Sequence, residues 1–145
     1  MMSESLERTK DIQYEEVIDA PIEKVWNLAA TAEGISSWFM PNDFEPHVGH
    51  EFHIQSPFGP SPCKVLLVEP PNKLSFAWDQ FGWVVTFELK EKEEGKTHFT
   101  LTHSGWGHPD AILPKAQQKV SAVRDNMSGG WAKIMQTLKD TAEKK

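Results

Sequence analysis

Apolar side chains recur in this chain at two spacings, and the changes from one spacing to the other divide it into elements. Between Asp11 and Asp19, Ile12, Tyr14 and Ile18 fall at period two, the pattern of a strand with one buried face. Ile22, Val25, Trp26 and Ala29 follow at i, i+3, i+4 and i+7, which is one side of an amphipathic helix. Pro21 suits the first helical position, and Glu23 lies in the first turn, where the helix dipole favours negative charge. The helix is expected to stop near Gly34. Ser36-Ser37-Trp38-Phe39 then forms a short helical turn or loop that Pro41 prevents from continuing.

Period two returns in the middle of the chain. Phe52 and Ile54 alternate with polar neighbours until a break at Pro57-Phe58-Gly59-Pro60-Ser61-Pro62. Cys63, Val65 and Leu67 alternate up to Pro70-Pro71-Asn72, and Leu74, Phe76 and Trp78 up to Gln80-Phe81-Gly82. Trp83, Val85, Phe87 and Leu89 alternate up to the hairpin tip Glu93-Glu94-Gly95. Phe99, Leu101 and His103 precede Ser104-Gly105-Trp106-Gly107. Short strands joined by tight turns pair as antiparallel hairpins, so the first strand and these later ones make a six-stranded antiparallel sheet. Ile112 to Arg124 reads as a helix. From Trp131 the residues Ile134, Met135, Leu138 and Ala142 repeat at helical spacing, with Gly129 and Gly130 marking a helix start or a close approach of backbone or ligand.

A chain of 145 residues fits one domain, 1–145, with a real core. Its net charge of −6 argues against a nucleic-acid or anionic-membrane partner. From Lys115 onward, however, the chain is about +4, as a solvated helix face docking on an acidic sheet would be. A single cysteine, Cys63, rules out an internal disulfide, and the first ten residues lack an apolar signal core. No apolar run reaches membrane-spanning length. A cytoplasmic monomer is expected.

The element order sets a packing problem. A sheet of six strands is roughly 24 Å wide and one helix is about 10 Å across, so a single helix cannot seal it. The sheet must curl, and any shortfall becomes internal space. At about 24 cal/mol per Å³, a dry void of about 300 Å³ would cost roughly 7 kcal/mol, comparable to a whole domain's stability. Such a space is therefore collapsed, wet or occupied by a ligand. Six Trp and eight Phe against one Tyr supply the apolar aromatic surface for its walls.

Candidate lining residues come from the inward rows: Phe52 and Ile54, Val65 and Leu67, Phe76 and Trp78, Val85 and Phe87, then Leu101 and His103. Trp38, Trp106, Trp131 and Met135 complete the set from the helices and the loop after the last strand. Trp106 is read as a movable lid and His103 or His108 as a rim hydrogen-bond partner, with Asp79 and Gln80 at the pocket end. His47, His50 and His53 suggest a metal, but residues three apart on a strand point to opposite faces and no carboxylate or thiol completes a ligand set. Ser104 beside His103 lacks the G-x-S-x-G elbow of a nucleophilic hydrolase. With no phosphate loop and no dinucleotide fingerprint, no cofactor, metal or catalytic residue is assigned.

Ala20-Pro21-Ile22-Glu23-Lys24-Val25-Trp26, Trp38-Phe39, Val48-Gly49 and Val68-Glu69-Pro70-Pro71-Asn72-Lys73-Leu74 resemble the family named for the activator of the ninety-kilodalton heat-shock protein ATPase. Val85-Thr86-Phe87-Glu88-Leu89, Leu101-Thr102-His103-Ser104-Gly105-Trp106 and Gly130-Trp131 through Leu138-Lys139 look like its later blocks. The resemblance covers residues 12 to 142 and departs at His50, where the family often has a second glycine. It implies the α+β helix-grip fold: a curved six-stranded antiparallel sheet around a long C-terminal helix, with one or two short helices after the first strand. This fold is shared with steroidogenic-acute-regulatory-related lipid-transfer domains, polyketide cyclases and birch-pollen-allergen proteins. It also implies binding of a lipid-, flavonoid- or polyketide-like molecule between sheet and helix. The alternatives are a chaperone-ATPase-regulating contact and a cyclase or dehydratase using a rim histidine.

Overall fold

The computed structural model of the protein describes residues 10–56, 59–78, 83–93, 95–106, 110–113 and 117–144. Strand β1 (Ile12–Ile18) leads into helices α1 (Ile22–Ala29) and α2 (Ala32–Trp38). Strands β2 (Glu51–Ser56), β3 (Gly59–Glu69), β4 (Lys73–Trp78), β5 (Trp83–Glu91) and β6 (Thr97–Ser104) form a meander. A two-residue ladder, β7 (Ile112–Leu113) with β8 (Gln118–Lys119), precedes helix α3 (Val120–Glu143). The large sheet has the order β1-β6-β5-β4-β3-β2, antiparallel at every step.

The alternation predicted for the meander is realised most cleanly in β5 and β6. Trp83, Val85, Phe87 and Leu89 are buried, as are Thr97, Phe99, Leu101 and His103, while the residues between them are half-exposed. One face of the sheet meets the helices and the other meets solvent, as antiparallel sheets allow. On the solvent face an open, polar groove runs between Gln13, Glu15, Glu88, Lys90, His98 and Thr100. His98 pairs there with Glu15 at 2.9 Å.

Strand β3 departs from the simple pattern. Val65 pairs with Phe76, but the register shifts so that Leu67 pairs with Ser75 and Val68 with Leu74. The extra residue at Leu66 is a β-bulge, and it exchanges the two faces of the strand beyond it. Leu67 is thus removed from the inward row to which alternation assigned it. Val68 takes its place and packs on the core.

Two helical expectations are also corrected. The segment from Ile112 does not open a helix: it forms the β7–β8 ladder, and α3 begins only at Val120. From there α3 runs unbroken through Gly129 and Gly130, so these residues mark neither a start nor a close backbone approach. A Cβ added at either would meet nothing within 4 Å. The first helix ends at Ala29, and α2 starts separately after Thr31, whose hydroxyl caps it by accepting from the Gly34 N–H at 2.9 Å. Gly34 is placed by packing, since a Cβ there would lie 2.3 Å from the Asn27 carbonyl oxygen.

The sheet's inner face is not covered by one rod. Helix α3 lies against β1 and buries Val120, Val123, Trp131, Met135, Leu138 and Ala142. Helix α1 contacts β5 through a face that buries Ile22, Val25 and Ala29, and α2 packs on α3. The single-helix estimate of uncovered sheet therefore overstates the gap, because the two short helices share the task. Charge complementarity between α3 and the sheet is carried by Lys139, 3.8 Å from Glu16. Among the described residues, no helix is long and apolar enough to cross a membrane.

Candidate functional site

At one end of this core the aromatic residues gather around a histidine. Trp78 closes β4 and Trp83 opens β5, and the two pair directly across the sheet. Strand β6 lies next to β5 and places His103 between Val85 and Ile12. Trp106 follows β6 immediately, and Trp131 descends from α3. Ring centroids of Trp106, Trp83, Trp78 and Trp131 lie 4.4, 5.1, 5.5 and 6.1 Å from that of His103. Phe39, just past the end of α2, stacks on Trp131 at 5.1 Å and meets the edge of Trp78 at 5.7 Å.

The polar atoms inside this sheath define its chemistry. Trp106 Nε1–H donates to the His103 backbone carbonyl at 2.9 Å, and Trp131 Nε1–H donates to His103 Nδ1 at 3.0 Å. An indole N–H can only donate, so Nδ1 must hold a lone pair and the ring proton sits on Nε2. The ring is fully buried, and burial pushes its pKa down to about 3, so it is neutral around pH 7. His103 Nε2 and Trp78 Nε1 are both buried with no hydrogen-bond partner. Buried polar groups are nearly always paired, so two orphan donors on neighbouring rings mark an unusual place in the core.

Of the residues expected to line a pocket, Trp78, His103, Trp106 and Trp131 come together here. Trp38 borders them through Phe39, at a centroid distance of 5.9 Å. Phe52, Phe76 and Phe87 instead form a chain with Phe44 and Phe99, separations 5.2 to 6.0 Å, edge-to-face except for the tilted Phe87–Phe99 pair. Ile54, Val65, Val85, Leu101 and, on α3, Met135 are buried as well. Leu67 is not among them. Two roles change with burial. His103 lies in the core instead of at a rim, and Trp106 is a packed wall residue instead of a lid. His108, Asp79 and Gln80 lie outside the described residues.

Trp83 and Phe39 also belong to the centre. Trp83 was visible as the first residue of an inward row. Phe39 was not, because it follows a helix end in a backbone conformation that no periodicity describes. His50 and His53 are held near the surface: the His50 ring nitrogen Nε2 is 3.1 Å from the Asp43 carbonyl, and His53 lies beside the Asp43 carboxylate. The backbone N–H of His53, donating to that carboxylate, holds the Asp43 pKa below its ordinary value. Among the described residues no group of three or more His, Cys, Asp or Glu is placed to hold a metal.

A curved antiparallel sheet gripped by a long C-terminal helix, with an aromatic and histidine centre between them, defines a helix-grip protein. The family described as Activator of Hsp90 ATPase homolog 1-like protein matches residues 19–143, and the chain belongs to it. It is similar to protein BH1534 of Bacillus halodurans, with 50% identity and a TM-score of 0.87 over 94% of this chain and 99% of that one. Protein MLL2253 of Mesorhizobium loti is 30% identical, with a TM-score of 0.75 over 90% of this chain and 95% of that one. The Aha1 dimer of Colwellia psychrerythraea shares the fold, with 20% identity and a TM-score of 0.76 over 93% and 97% of the two chains. No curated protein matches the chain.

Proposed function

We propose that this protein is a cytoplasmic, monomeric binder of a small hydrophobic molecule, held between the sheet and α3 at the tryptophan–histidine centre. One observation carries the reading. A largely apolar core contains a neutral, fully buried imidazole and two donors left without acceptors, an arrangement that lowers stability wherever nothing occupies it. Proteins keep such exceptions at functional sites, where a bound partner compensates for them. The surrounding indoles offer the apolar walls, and the few inward polar atoms offer orientation, as small-molecule sites commonly do. Family membership supports the same reading, since proteins of this fold bind hydrophobic ligands.

Burying about 300 Å² of ligand at about 25 cal/mol per Å² yields roughly 7 kcal/mol before association costs, so micromolar or weaker affinity is expected. The test is a thermal-shift screen of lipid-, flavonoid- and polyketide-like compounds, repeated by following the indole N–H resonances of the labelled protein. A true ligand at one hundred times its dissociation constant adds about 2.7 kcal/mol of stability. If no compound class moves either the melting curve or the indole signals, the protein is not a binder of this kind.

A further inference from the structure

The orphan atoms at the centre are both donors, and that restricts what can sit beside them. Trp78 Nε1–H can only donate. His103 is left with Nε2–H as its unpaired function, because its other nitrogen already accepts from Trp131. An apolar ligand that merely filled space would leave both donors bare. A hydroxyl donor aimed at them would face two more hydrogens. A group with lone pairs satisfies them. One carbonyl oxygen carries two lone pairs about 120° apart, so two N–H···O bonds of about 2.9 Å reach donors about 5 Å apart. Trp78 and His103 are adjacent rings, 5.5 Å apart between centroids, so both unpaired donors belong to one pair of neighbours.

Charge narrows the class further. The buried polar residues among those described are Ser61, Ser75, Thr97 and His103, so no Lys or Arg accompanies the centre into the core. An anion brought here would be desolvated without a counter-charge, which is strongly unfavourable. Protonating His103 to supply the charge would require a proton on Nδ1, which breaks the Trp131 hydrogen bond. We infer that the ligand presents an uncharged carbonyl oxygen, accepting from His103 Nε2–H and Trp78 Nε1–H together, and that ionised fatty acids are excluded. This rests on the ligand-binding reading above and names the chemistry that reading leaves open.

Three matched probes separate the possibilities: benzophenone, its methylene counterpart diphenylmethane, and the carboxylate diphenylacetate. Affinities are measured by titration of the wild-type protein, with the Trp78 indole resonance followed by NMR. Benzophenone is expected to bind at least about tenfold more tightly than diphenylmethane, because its oxygen satisfies two otherwise bare donors. It should move the Trp78 N–H resonance downfield, and diphenylacetate should bind most weakly. Trp78→Phe keeps an aromatic ring and removes only the donor, so it should reduce the ketone's advantage while leaving diphenylmethane unchanged. His103→Phe tests the second donor, with the amide spectrum reporting whether each variant is folded. Equal affinity for benzophenone and diphenylmethane overturns the carbonyl assignment but leaves a hydrophobic binder. Tightest binding of diphenylacetate overturns the exclusion of anions. Failure of all three, together with an empty compound screen, overturns the binding reading itself.

Discussion

Trp131 Nε1–H donates to His103 Nδ1 at 3.0 Å, joining α3 to the sheet through a hydrogen bond enclosed in aromatic rings. The bond does more than fasten a helix. It selects the imidazole tautomer, and so decides that the atom left facing the core is a donor. Removing the indole N–H with Trp131→Phe leaves Nδ1 buried without a donor. Destabilisation of about 1–3 kcal/mol is expected in urea unfolding. Combined with His103→Phe, the two losses should fall short of additive by about 1 kcal/mol, and additive losses would mean the bond contributes nothing.

The same histidine makes stability depend on pH. Its folded pKa, about 3, lies below the ordinary value of 6.5, so the unfolded chain binds a proton that the folded chain refuses in between. The neutral folded form is fully favoured above about pH 6.5, and stability declines as pH falls from there towards 3. The slope approaches about 1.4 kcal/mol per pH unit for a single group once the unfolded imidazole is fully protonated, so about 2 kcal/mol is lost between pH 6.5 and 4.5. Urea unfolding across that range should show the decline in the wild type, and His103→Phe should flatten it. An unchanged slope in the variant would assign the effect to other groups.

Gly129 and Gly130 stand inside α3, where glycine is disfavoured, and neither is there to admit a neighbour. Replacing either with alanine lowers the entropy of the unfolded chain and introduces no clash. Each substitution should stabilise by about 0.5–1 kcal/mol, raising the melting temperature by about 2–4 °C. A loss of stability in calorimetry would show that the helix is not continuous there.

The bulge in β3 predicts opposite tolerances for two adjacent residues. Leu67→Thr lies on the outward face beside Ser75 and should change stability by less than about 0.5 kcal/mol. Val68→Thr places a hydroxyl on the core side and should lose about 1–2 kcal/mol. The reverse order in chemical denaturation would restore the regular alternation and dismiss the bulge.

Much of this protein was readable before folding was considered. Period-two rows in β1 and β4–β6, the helical repeats of α1 and of α3 beyond Trp131, and the turn residues between them specified an antiparallel sheet with a C-terminal helix. These signals are local, because each follows from which side of a strand or helix must avoid water. The start of α3 was less legible. Ile112–Leu113 and Gln118–Lys119 pair with each other as a short antiparallel ladder, and their composition does not distinguish that pairing from a helical turn.

The tertiary structure alone decided the rest. A single extra residue at Leu66 reversed the faces of β3, since side-chain alternation has no memory beyond a bulge. Coverage of the sheet by three helices, which period alone could not reveal, removed the simple geometric case for an internal gap. His103 looked like one more end-of-strand histidine until Trp78, Trp83, Trp106 and Trp131, drawn from distant parts of the chain, closed around it. Burial and hydrogen-bond valence are properties of a site's whole surroundings, so only the assembled core could show that this ring is neutral, holds its proton on Nε2 and lacks an acceptor.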